Sequence, residues 1–498
     1  MIDGTGAPSV PADIAVDGDR IARIAPDIDT PADTVVPANG LVAAPGFIDI
    51  HSHGGAGILE NPTADSKVHD GVTTEVLGNC GGSPFPSEKY RSAAALFAAV
   101  DEAGTALNRI FLAGLGTIRR FVMGPGSEAA SPEQMGAMRA ELARCLEEGA
   151  FGCSTGLIYA PGCFAPRDEI AELVRVAADA GGLYATHMRG EGDTLEAAVD
   201  EAAFVAQTAG ARLQISHVKV SGRRNWHKID WLDQRLHALL DAGLNLACDR
   251  YTYTAAATDI GTILPNWVND GPPEERMQRL ADPEVRARIE REVLADHPEP
   301  EYWESVVISS MPEPGEATYA GKTLAAIAEA RGEHPAETVM NLLAKHKTKP
   351  AAVFFSMCEE NLRRILSWPF VAIGSDARAR VPRKNTADRP HPRAYGTFSR
   401  FLGKYVRQEK LLTLEEAVRR MTALPAARLG LSDRGVLREG AFADLVVFDP
   451  DTAIDRATFT DPHHTSTGFR CVLVNGRPVV ENDTHTGLLP GRLLRRGE

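Results

Sequence analysis

Between residues 46 and 429 the chain repeats one theme: a short apolar run, a cluster of small or polar residues, then a stretch with helical spacing. The apolar runs end in IDIHSH, TTEVLGNCGG, IFLAGLGT, GCSTGLIY, YATHMRGEGD, QISHVKVSG, CDRYTYT and VAIGSDA, which makes eight. Stretches such as SPEQMGAMRAELARCLEEG and RDEIAELVRVAADAG, with helical periodicity, lie between several of them. Alternating strands and helices build a parallel sheet, and eight such units predict an α/β fold closed into a (β/α)8 TIM barrel. The seventh and eighth runs are far apart. Residues from about 264 to 350, with charged helices and PEPEYWESV, read as an insertion placed to cover the barrel mouth.

The two ends of the chain follow another pattern. Residues 1–45 contain ADIAVDGDRIARI, where DGDR is a tight hairpin signal, and residues 430–498 contain FADLVVFDPDT and FRCVLVNGRPVV. These pieces predict one small β-sandwich domain assembled from both termini. The opening MIDGTGAP reads like the end of a hairpin whose first strand is absent, which suggests a shortened N-terminus.

In a barrel of this kind the C-terminal strand ends face one mouth and carry the chemistry. His51 and His53 sit two apart at the end of the first run, so both point to one side. Cys80, His187, His217 and Asp376 fall at the ends of the second, fifth, sixth and eighth runs. Imidazole, thiolate and carboxylate together form a zinc-type donor set. Each residue alone has a plainer explanation: Cys80 as a small buried residue, the histidines as hydrogen-bonded core groups, Asp376 as a helix cap. Six such residues at equivalent places point to one metal site.

The arrangement of H-x-H after the first strand, histidines ending the fifth and sixth, and an aspartate ending the eighth resembles the amidohydrolase superfamily. Within it, GVTTEVLGNCGGSPFP, STGLIYAPG, THMRGEGD, SHVKVSG, GSDA and HPRAYGTF are similar to the N-acyl-D-amino-acid deacylases, or D-aminoacylases, from IDGTGAP to GRLLRR. Many members of the superfamily bridge two metals with a carboxylated lysine from the fourth strand, but GCSTGLIY offers none. The resemblance implies that Cys80 takes this role and holds a tight zinc with His187 and His217, while His51, His53 and Asp376 frame a weaker second position. It further implies hydrolysis of the amide of an N-acyl-D-amino acid, with Asp376 passing the proton from water to the leaving amine. Lys219, the other plausible bridge, is read as a contact for the substrate carboxylate, together with Tyr253 and Arg393. Two features depart from the subfamily: Gly54 and Gly55 follow H-x-H where acidic residues are usual, and Leu115 replaces a histidine after the third strand. The rival readings are a cyclic-amide hydrolase of the dihydroorotase or hydantoinase type, and a non-catalytic scaffold of the same fold.

Charge and cysteine usage narrow the partners. With 53 basic and 67 acidic residues the net charge is −14, which argues against nucleic acid or anionic membrane and for a small molecule. No apolar run reaches spanning length, and the polar start is no signal peptide. Seven scattered cysteines make no disulfide framework and suggest a reducing cytoplasm. Nothing in the sequence fixes an oligomeric state.

Overall fold

A computed structural model of the chain describes every residue except Gly55, Glu313 and Glu498. Its centre is a ring of eight parallel strands: β1 (Phe47–Asp49), β2 (Val72–Leu77), β3 (Asn108–Phe111, continued by Ala113–Gly114), β4 (Gly152–Gly156), β5 (Leu183–His187), β6 (Arg212–Ile215), β7 (Leu246–Arg250) and β8 (Val371–Ile373). β1, β2 and the first part of β3 form one parallel ladder, and the second part of β3 carries the ladder on through β4 to β8. Closure comes just beyond β8 and β1, where the Asp376 amide donates to the His51 carbonyl at 2.7 Å and Ala377–Arg378 lies parallel to Ser52–His53. The molecule is an α/β barrel.

The barrel strands are short and apolar because both faces are covered. Ile48, Ile50, Val76, Ile110, Leu112, Leu183, Ala185 and Ala372 pack together within one core. The outer faces meet helices such as Pro132–Glu147, Arg167–Asp179, Leu195–Ala209 and Ile229–Asp241, which contribute Leu142, Ile170, Val174, Val199 and Leu236 to a larger core. The helix at Pro132 starts where its sequence says it should: Ser131 and Gln134 cap each other's backbone N–H groups, and Pro132 opens the first turn.

The seam between β8 and β1 has little backbone pairing and is held instead by buried polar groups. The Asp49 carboxylate, 0% exposed, accepts from the Ser375 amide at 2.9 Å, the Ser375 hydroxyl at 2.6 Å and the Lys67 ammonium at 2.5 Å. Lys67, 2% exposed, also donates to the Ala377 carbonyl at 2.8 Å. The backbones approach closely here. A Cβ on Gly374 would lie 2.8 Å from the Cβ of His51, so only glycine fits.

Strands from both ends of the chain form a five-stranded sheet, with Val42–Pro45 antiparallel to Leu445–Phe448, followed by Phe469–Val474, Arg477–Glu481 and Thr484–His485. The hairpin Asp13–Asp17/Arg20–Ala25 packs Ile14, Val16, Ile21 and Ile24 against Leu445 and Leu473 as a second layer. Between β7 and β8 a separate core of Ile260, Leu280, Ile289, Val293, Trp303, Ile308, Val339 and Leu343 is built on helices and a three-stranded antiparallel sheet. That sheet takes Ala256–Asp259 and Ala351–Phe354, just outside the expected 264–350, as two of its strands. Among the described residues no helix is long and apolar enough to cross a membrane.

The seam makes a stability prediction. Lys67→Ala leaves the Asp49 charge buried without its cation, and breaking such a pair costs about 3–5 kcal/mol. Urea unfolding should show that loss with little change in slope. A loss under about 1 kcal/mol would mean that Ser375 and the backbone satisfy Asp49 alone.

Candidate metal centre and active site

Three of the six expected ligands occupy backbone conformations that side chains avoid. Cys80, His217 and Asp376 have φ of 51°, 37° and 51°. Each such residue costs on the order of 1–3 kcal/mol and persists only where its surroundings over-determine it. At Cys80 the surroundings are visible: a Cβ on Gly156 would lie 2.1 Å from the Cys80 carbonyl oxygen. The turn bearing the cysteine is laid directly over the end of β4, the strand that lacks a lysine. Cysteine in β2's turn and glycine at the end of β4 are one steric arrangement.

The side chains converge. The donor atoms of Cys80, His187 and His217 all lie within 4.8 Å of one another, as do those of His51, His53, Cys80 and Asp376. The Cys80 Sγ is 3.4 Å from His51 Nε2 and 3.6 Å from His217 Nε2, and His217 Nε2 is 2.9 Å from His187 Nδ1. Asp376 Oδ1 lies 2.8 Å from His53 Nε2 and 3.5 Å from His51 Nε2. Cys80 belongs to both groups, so its sulfur is their common corner.

The donors also face the right way. His51 Nδ1 meets Asp249 Oδ1 at 2.9 Å and His217 Nδ1 meets Glu191 Oε1 at 3.0 Å. With the outer nitrogen of each ring on a carboxylate, the inner Nε2 is turned to the shared space, where the neutral ring offers its lone pair, as a metal-binding histidine requires. The set of nitrogen, sulfur and one carboxylate oxygen suits a divalent cation of borderline softness. Burial raises the Cys80 thiol, but His51, His187 and His217 outweigh it and hold the group well below the ordinary thiol value. Burial alone dominates at Cys145 and Cys163, pushed up to about 12 and about 11. For Asp376 burial likewise opposes ionisation, and Arg393, His217 and His51 overcome it, holding the carboxyl well below its usual range. Burial and Lys219 lower His217, but Glu191 and Asp376 raise it to about 9.

The expected substrate contacts fall differently. Lys219, 2% exposed, is engaged within the protein: its ammonium sits 2.5 Å from Glu191 Oε1 and 2.8 Å from His217 Nδ1. The Tyr253 hydroxyl donates to Asp455 at 3.2 Å and is engaged away from the cluster. Arg393 does reach the cluster, through Asp376, whose Oδ2 accepts from it at 2.7 Å. Four neighbours lay outside the sequence reading: Asp249, Glu191, Arg250 and Tyr251. Tyr251 has a buried hydroxyl with no partner among the described residues. Its ring lies 4.1 Å from the Arg250 guanidinium, 4.7 Å from that of Arg393 and 6.0 Å from the Lys219 ammonium. Strand parity was the available signal, because Tyr251 follows Asp249 by two. Leu115 opens the helix Leu115–Met123 and is buried, bringing no polar group to the mouth, and Gly55 lies outside the described residues.

The model of the Amidohydrolase family matches residues 34–480. The chain belongs to that family. Over 512 aligned residues this amidohydrolase is 37% identical to the N-acyl-D-glutamate deacylase of Alcaligenes xylosoxydans xylosoxydans, covering 100% of this chain and 95% of the relative. It is 35% identical to the D-aminoacylase of the same organism, covering 100% and 96%. A crystal structure of N-acyl-D-glutamate deacylase from Bordetella bronchiseptica, complexed with zinc and a phosphonate mimic of the reaction's tetrahedral intermediate, superposes with a TM-score of 0.84 at 35% identity, covering 99% of this chain and 97% of that one. A relative named for D-glutamate and one named for D-amino acids in general stand almost equally near, so overall similarity does not choose a side chain.

Cys80→Ala removes the shared corner. The variant should fold but lose most of its bound divalent metal, measured by elemental analysis after dialysis, whereas Cys153→Ala and Cys163→Ala should keep it. Full metal in a folded Cys80→Ala protein would sink the assignment.

Proposed function

We propose that this amidohydrolase hydrolyses the amide bond of N-acyl-D-amino acids, using zinc held tightly by Cys80, His187 and His217, with His51, His53 and Asp376 framing a second, weaker position that shares the sulfur. The observation that carries the reading is the single thiol common to two donor groups, on a chain similar over its full length to an N-acyl-D-glutamate deacylase and a D-aminoacylase. When bound, zinc supplies Lewis acidity toward an amide carbonyl and a water molecule.

The chain's own residues supply the proton traffic. Asp376 is ionised, with Oδ1 toward His53 and His51 and Oδ2 on Arg393. It takes a proton from water as the new C–O bond forms, and returns it to the nitrogen as the C–N bond breaks. The products are a carboxylate and a free D-amino acid. Arg393 fixes the orientation of Asp376 and keeps it unprotonated between turnovers. Lys219 and Glu191 position His217, and Asp249 positions His51. The Tyr251 hydroxyl, without a partner among the described residues and on a ring beside Arg393, is the donor assigned to the substrate α-carboxylate.

The cyclic-amide reading is weakened by the end of β4, where the Cys80 turn takes the room of any side chain on Gly156. The scaffold reading is weakened by a donor set that is complete and oriented. Seven free cysteines support a reducing, cytoplasmic setting, and the net charge of −14 supports a small-molecule partner.

Two outcomes test the mechanism. Asp376→Ala should keep the zinc on Cys80, His187 and His217 while turnover falls roughly 10²–10⁴-fold. Near-normal turnover would hand the proton transfer to another group. With the scissile carbonyl and the α-carboxylate both pinned, the D enantiomers of N-acetyl amino acids should be hydrolysed on the order of 10²-fold faster than the L. Equal rates on both enantiomers would refute the pinning.

A further inference from the structure

Resting on the deacylase reading, we infer that the preferred substrate has an acidic side chain, as in N-acyl-D-glutamate or N-acyl-D-aspartate, and that Arg378 reads the side-chain carboxylate at the rim of the metal centre. The starting observation is a local reversal of charge. The chain as a whole carries −14, yet residues 377–393, directly after Asp376, hold six cations and a single carboxylate, Asp388. Among the described residues only one of the six, Arg393, is ion-paired, and its partner is Asp376. A protein of strong negative charge repels a dianion at long range, so a concentration of unpaired cations at one mouth focuses such a ligand there.

Register places one of these cations beside the chemistry. Arg378 pairs in parallel with His53, and residues that face each other across a ladder project to the same side. His53 turns its Nε2 to Asp376 at 2.8 Å, so Arg378 leaves the backbone on the face that carries the metal ligands. Arg378 is exposed, and its guanidinium has no ion pair or hydrogen bond among the described residues. Arg380, two residues on, is partly buried and likewise lacks a carboxylate; burial and the charge of Arg378 hold it below its ordinary value. Further along the same loop, Arg383 and Lys384 line a cleft of ≈ 590 Å³ against Met311, Ala317 and Ala320 of the insertion. The excess of positive charge therefore runs from the ligand His53 outward along one wall. A guanidinium suits this task because its planar fork can take a carboxylate by two parallel hydrogen bonds.

The α-carboxylate and the side-chain carboxylate share this chemistry, and the substrate panel separates them. The zinc-loaded full chain is assayed on N-acetyl-D-glutamate, N-acetyl-D-aspartate, their near-isosteric partner N-acetyl-D-glutamine, and N-acetyl-D-methionine. The wild type should favour an acidic substrate over N-acetyl-D-glutamine by about tenfold or more in kcat/KM, the weight of one charge-assisted pair. That ratio should shrink as salt is raised, because the rim is open to screening. Arg378→Ala should lower the ratio about tenfold, chiefly through KM, and Arg378→Lys, which keeps the charge without the fork, should restore part of it. Equal handling of N-acetyl-D-glutamine or N-acetyl-D-methionine by the wild type overturns the inference. So does an Arg378→Ala variant that keeps the ratio, or one that slows acidic and neutral substrates alike, which would assign Arg378 to the α-carboxylate. All three of these results leave the deacylase reading standing. Hydrolysis of no N-acetyl amino acid of either configuration overturns both.

Discussion

A thiol, four imidazoles and a carboxylate share one buried mouth, with donor atoms a few ångströms apart. Ionised groups are costly to withdraw from water unless they are paired or coordinate a metal. Here the outward nitrogens of His51 and His217 are taken by Asp249 and Glu191, and the second oxygen of Asp376 by Arg393. What remains unpaired faces inward, toward a common space. The arrangement is that of a cage for a divalent cation, and the surrounding chain is shaped to keep it assembled. Left-handed backbone at Cys80, His217 and Asp376 stores strain at the ligands. Close backbone contacts at Gly156 and Gly374 bring the Cys80 turn and the His51 strand into place.

The part of the barrel wall with little backbone pairing also carries half of the expected ligands. His51, His53 and Asp376 all leave the seam between β1 and β8, where Asp49, Lys67 and Ser375 replace a continuous ladder. A seam held by side chains has specific partners and little tolerance for slippage, which suits residues that must stay in fixed register with Cys80 and the histidines of β5 and β6. The loop beyond the seam then runs past the insertion, to which the Arg389 amide is tied through the Ser309 carbonyl at 2.7 Å. The same stretch of chain thus closes the barrel, carries Asp376, the proposed proton-transfer group, and runs on beside the insertion.

The convergence of these side chains was legible in the sequence because strand ends are where a parallel barrel places its chemistry, and period-two spacing says which residues share a face. His51 with His53, and His187 with the inward Leu183 and Ala185, follow that rule directly. Lys219 and Tyr253 satisfy the same rule, yet their roles depend on partners far away in sequence: Glu191 in the loop after β5, and Asp455 beyond the barrel. No local pattern announces such pairs. Tyr251 and Tyr253 flank a single residue in CDRYTYT, and only the tertiary structure shows which hydroxyl is already engaged. The insertion was recognisable by its length, but its antiparallel sheet was not, because two of its strands border the barrel elements and look like their continuations.

X-ray absorption at the zinc edge of the loaded protein examines the shared sulfur directly. A cage cornered on Cys80 predicts a sulfur scatterer at about 2.3 Å together with nitrogen or oxygen neighbours at about 2.0–2.1 Å. A first shell made only of nitrogen and oxygen, with full zinc and full activity, would contradict the account.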